Sequence, residues 1–95
     1  MYCYNVPRRA NSPEEVLFGV EVGRALKRAR QDRDLSGSNL SALSGVSIDA
    51  IRSIESGRIA SPGLLVSSRM TRALSLSLDD LIADVQQEMN QGTSQ

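Results

Sequence analysis

The sequence predicts an all-α protein, a single domain of five helices. Three observations carry this. Apolar residues recur at three- and four-residue spacing in several separate stretches, and serine stands directly before most of them, at the position where helices are capped. The polar–apolar alternation of a strand is confined to the first few residues. A chain of 95 residues suits one small helical core and is too short for a second.

The elements follow in order. Residues 1–12 read as a flexible arm, because MYCYNV alternates only briefly before Pro7 and two arginines; a small edge strand is the alternative. "SPEE" then supplies an N-cap at Ser12, proline at the first helical position and Glu15 three after the cap, which is capping-box chemistry. The first helix is expected from Pro13 to about Asp32, with Val16, Val20, Val22, Leu26, Ala29 and Arg30 near one side and Gly19 and Gly23 permitting a bend.

Ser36 caps a short second helix over residues 37–44, with Leu40 and Leu43 turned the same way. Gly45 is the turn residue, Val46 a buried plug and Ser47 the cap of a third helix over 48–55, whose inward side is Ile51 and Ile54. Two short helices about a glycine turn are a helix-turn-helix signal. Pro62 can open a fourth helix carrying Leu64, Met70 and Leu74 inward. Ser77 caps a fifth, striped by Leu78, Leu81, Ile82, Val85 and Met89. The domain is expected over 13–89, with 90–95 a disordered tail.

Composition excludes several functions. There is one cysteine, Cys3, and no histidine, so no disulfide framework, zinc set or cofactor is expected, and the commonest acid–base residue is missing. Serines abound, but Lys27 is the one lysine and sits among other bases, so no group to activate a nucleophile is evident and no enzyme is expected. No apolar run approaches the roughly 18 residues of a membrane span, and a secretion signal is not apparent; a cytoplasmic protein without membrane partners is expected. With two tyrosines and one phenylalanine, a base-stacking platform for single strands is poorly supplied, so double-stranded DNA is the better nucleic-acid candidate.

The balance of 11 basic and 11 acidic residues does not forbid such a partner. Arg24, Lys27, Arg28, Arg30 and Arg33 cluster in one stretch and Arg58, Arg69 and Arg72 in another, whereas Asp79, Asp80, Asp84 and Glu88 lie together in the fifth helix. A basic side facing phosphates with the acidic helix turned away fits this order, as does a set of merely solvated faces. Arg30 and Glu55 each adjoin an apolar stripe, where an unpaired charge is costly, so the two are expected to meet as a structural ion pair.

Several residues together resemble the Cro/CI-type (XRE-type) helix-turn-helix domains of phage repressors and bacterial regulators. They are Val22-Gly23, Leu26, Arg30 and Leu35-Ser36; Leu40, Gly45-Val46-Ser47, Ile51 and Ile54-Glu55 with Gly57; then Pro62, Ala73-Leu74 and "LSLDDLI". The resemblance spans about residues 20 to 83 and implies a five-helix, lambda-repressor-like fold.

It also implies that the third helix enters the major groove, with Ser47, Ile48, Asp49 and Ser53 meeting base edges and Arg52 a guanine or a phosphate. The start of the second helix, Ser36, Gly37 and Ser38, and Arg58 beyond the third would lie against the DNA backbone. Family members commonly pair this arginine with this glutamate. They usually carry glutamine where Gly37 stands and more bases after the third helix, so a thin backbone grip and a shallow salt dependence are expected here.

Such domains mostly bind as homodimers, and the fifth helix offers Leu81, Val85 and Met89 as a seam, unless the stripe simply closes the core. The expected function is a homodimeric repressor. The alternatives are an autoregulator of the antitoxin kind that also holds a second protein such as a toxin or an anti-repressor, and an interaction module that does not bind DNA.

Overall fold

The computed structural model describes residues 12–59 and 61–93, with the backbone alone at 91–93. Five helices follow one another: α1 (Pro13–Asp32), α2 (Gly37–Ser44), α3 (Ile48–Glu55), α4 (Leu64–Ala73) and α5 (Leu78–Thr93). The described residues contain no strand, and the expected arm at 1–11 lies outside them.

Local chemistry sets the boundaries. Ser12 accepts from the Glu15 amide at 3.2 Å while the Glu15 carboxylate accepts from the Ser12 amide at 2.9 Å, the reciprocal box expected from "SPEE". Ser36 and Asn39 form the same arrangement at the head of α2. Ser47 caps α3 through the Ala50 amide at 3.1 Å, and Ser77 caps α5 through the Asp80 amide at 2.9 Å. α2 stops at Gly45, which is left-handed with φ of 77°. Gly45→Ala should therefore cost about 1–2 kcal/mol, the left-handed penalty for a residue with a Cβ, read as a lower urea midpoint with an unchanged slope.

α1 lies across α3 and α5, while α2 packs on α3 and α4. Leu26, Leu40, Ile51, Ile54, Met70 and Leu74 meet in the centre, and Val46 plugs the α2–α3 turn as expected. At the crossing of α1 and α3 the backbones nearly touch: a methyl on Gly23 would overlap the carbonyl oxygen of Ile54. Gly23 is thus a close-approach residue, where the sequence alone offered a bend.

Other differences follow from tertiary position. α4 begins at Leu64 with Gly63 as its cap, so Pro62 precedes the helix, and Leu64 is 74% exposed where it was expected inward. Leu43, expected beside Leu40, is 62% exposed, and Val16 is exposed as well. Leu43 and Leu40 are three apart, and α2 touches the core over a stripe too narrow for both. α5 continues through Thr93, four residues into the expected tail, because nothing in "NQGT" breaks a helix except a tolerated glycine.

Leu81 and Val85 are 3% and 1% exposed and belong to the core. Their side chains are spent on α1 and α4, so neither has surface to give a second subunit. Of the three expected seam residues, Met89 alone is only partly buried. Among the described residues no helix is long and apolar enough to cross a membrane.

Candidate nucleic-acid interface

α3 is short, and its orientation is imposed from behind. Ile51 and Ile54, each 1% exposed, anchor one side in the core. Residues spaced three and four apart share a face, so Asp49, Arg52 and Ser56 come out on the opposite side, exposed, with Ser53 half-buried between them. Ile48 is half-buried at the first turn and Arg58 exposed beyond the helix.

Two of the expected contact residues already have work. The Ser47 oxygen is engaged by the Ala50 amide, leaving its O–H to donate. The Ser36 hydroxyl donates to Asn39 Oδ1 at 2.9 Å and accepts from the Asn39 amide at 3.0 Å. What the head of α2 can offer an anion is therefore backbone N–H from Gly37 and Ser38, in the first turn where a helix leaves such groups unpaired, with Ser38 exposed beside them.

Behind α3 stands the ion pair. Arg30 Nε donates to Glu55 Oε2 at 2.8 Å and Nη2 to Oε1 at 3.0 Å, a two-pronged contact, while Nη1 donates to the Leu35 carbonyl at 2.7 Å. The two side chains are 14% and 8% exposed. The hydrogen bond to Glu55 holds the Arg30 guanidinium charged above the ordinary arginine range, against the opposing effect of burial. A raised arginine contributes its stability at every pH below that range and loses it only above, so no titration of Arg30 weakens the pair at working pH. Through these contacts the end of α1, the entry to α2 and the last turn of α3 are held as one piece.

The base-rich stretch of α1 is less available than its composition implies. Arg30 is held by Glu55; Arg24 meets Glu21 at 3.1 Å in an exposed pair; Arg33 caps α1 through the Ala29 carbonyl at 2.9 Å. Arg28 shares a surface hollow with Asp84 and Glu88 of α5. The separation of charges expected from the sequence is thus partly undone by folding, since α5 packs on α1 and brings its acids to that side. The Arg24 pair is exposed and worth little, so a phosphate can recruit this arginine cheaply.

Arg69 and Arg72 were counted in the sequence as bases but not given a site. They flank a hollow with Leu43, Ser44 and Ala73, and Arg69 reaches towards the Gly45 turn. They border the end of α2 remote from Ser36–Ser38, a placement set by the packing of α4 on α2 and invisible to a helical wheel. No cluster of metal-binding side chains occurs among the described residues.

No curated protein matches the chain. A family model described as a helix-turn-helix domain matches residues 21–84, from the middle of α1 into α5, and so contains the paired short helices, the Gly45 turn, the Arg30–Glu55 contact and the outward face of α3. The match covers well over half of the sequence, and with the five-helix structure it shows that this chain belongs to the helix-turn-helix domain family.

Proposed function

We propose that this protein is a sequence-specific transcriptional regulator that binds double-stranded DNA through α3 and acts as a homodimeric repressor. One observation carries the reading: α3 is fastened by Ile51, Ile54 and the Arg30–Glu55 pair, while Asp49, Arg52 and Ser53 are turned from the core on its other side. In the major groove, Asp49 accepts from a cytosine amino group, Arg52 donates to guanine or phosphate, Ser53 bonds to either partner and Ile48 meets a thymine methyl. Ser47 turns its remaining O–H to a base edge, while Arg58 and the Gly37 and Ser38 amides at the head of α2, held in place by the Ser36–Asn39 cap, supply the backbone contacts. A dimer gives two such units the spacing of palindromic half-sites, and Met89 on the partly buried edge of α5 is its proposed contact.

The test is a fluorescence-anisotropy titration against the region upstream of the gene, repeated across salt. Binding to a palindrome with a 2:1 stoichiometry is expected, with a shallow salt slope because few free bases neutralise phosphate. Asp49→Ala with Ser53→Ala should relax discrimination between operators by about 1–3 kcal/mol per base pair read; unaltered preference in a selection of random sites would remove α3 as the reader. A second reading, an antitoxin-like or purely protein-binding module, is favoured by the engagement of Arg30 and Arg33 within the chain and by the acids of α5 that share a hollow with Arg28. Absence of DNA binding, together with co-purification of a neighbouring gene's product, would support it.

A further inference from the structure

α1, α5 and the start of α4 leave an open groove around the one phenylalanine of the chain. Phe18, Val22, Pro62, Leu64, Leu78 and Ile82 line a hollow of about 310 Å³. It shares Phe18 with a second, of about 240 Å³, rimmed by Glu14, Glu15 and Met89. The groove admits side chains from an extended segment.

We propose that the groove is covered by the chain's own residues 1–9, with Tyr2, Tyr4 and Val6 laid against Phe18 and Leu64, and Arg8 and Arg9 beside Glu14 and Glu15. Three facts select this occupant. The eleven residues before Ser12 span up to about 36 Å when extended, and Phe18 lies only about 9 Å along α1 from Ser12. In an extended segment alternate side chains share a face, so Tyr2, Tyr4 and Val6 fall on one side, with Cys3 and Asn5 on the other. The two bases follow the apolar run at the place where the chain, doubling back, passes the acidic rim. Both tyrosines of the molecule thereby meet its phenylalanine, an arrangement that gains beyond burial alone.

Cys3, the sole cysteine, faces away from the groove in this arrangement and takes a nitroxide label in the intact protein without DNA. Amide signals of Phe18, Leu64 and Ile82 should lose most of their intensity relative to the reduced label. Leu64→Asp, at a site too exposed to disturb folding, and Arg8→Glu with Arg9→Glu should each restore the Ile82 signal. In unlabelled protein, Tyr2→Ser with Tyr4→Ser should shift the same amides. Broadening limited to the residues next to Ser12, with no shift in the tyrosine variant, overturns the proposal. Broadening that appears when labelled chains of natural isotope content are mixed with unlabelled nitrogen-15 chains also overturns it, by assigning the groove to a second copy.

Discussion

Glu55→Ala should lower the stability of the domain by about 3–5 kcal/mol, the cost of leaving one partner of a buried pair uncompensated. The slight exposure of Arg30 and Glu55 places the result towards the lower end. For a domain of this size that is a fall of at least roughly 12 °C in Tm. The loss is large because three Arg30 N–H groups are aimed at Glu55 and Leu35, and removing the carboxylate strands two of them where water has little access. Replacing both partners together, Arg30→Met with Glu55→Leu, should cost far less, since no charge is then left alone. Calorimetric melts of the single and double variants check both statements, and an unchanged Tm for Glu55→Ala would mean that the contact is not formed in solution.

Gly23→Ala should be comparably damaging, through crowding. Overfilling a packed site typically costs about 1–3 kcal/mol and occasionally more. Here the upper part of that range is expected, because the obstacle is the backbone of Ile54 and not a side chain that can turn aside. α1 and α3 must separate, which also disturbs the isoleucine anchors and the charge pair. Gly37→Ala is the matched control, since nothing lies within 4 Å of a methyl built there. Chemical denaturation of the two variants should separate them clearly; similar midpoints would show that the α1–α3 crossing is looser than described.

Much of this was legible in the residues, for identifiable reasons. Serine caps act over three residues, so Ser12, Ser36, Ser47 and Ser77 disclosed where four helices start. Ile51 and Ile54 declared the inward side of α3, and charges adjoining apolar stripes announced the Arg30–Glu55 pair. Features that depend on distance between helices were not legible. The wheel that placed Leu40 inside placed Leu43 and Leu64 there too, because periodicity reports direction and not whether a neighbour is present. The α5 stripe had two outcomes on the same pattern, core or seam, and the docking of α1 and α4 decided Leu81 and Val85. Within the candidate interface, the residue types on α3 could be read from the chain. That the Ser36 hydroxyl is consumed by Asn39, that Arg28 shares a hollow with Asp84, and that Arg69 borders the Gly45 turn required the fold.

The Arg30–Glu55 contact joins positions 25 residues apart in sequence. Loop closure over that separation must come before the contact can repay its desolvation. Helical turns and the Gly45 reversal need no such wait. Interactions absent from the folding transition state act mainly on the unfolding rate, and this contact is expected to be one of them, which faster unfolding of Glu55→Ala at an unchanged folding rate would check. α3 would then owe its endurance, more than its speed of formation, to a single guanidinium.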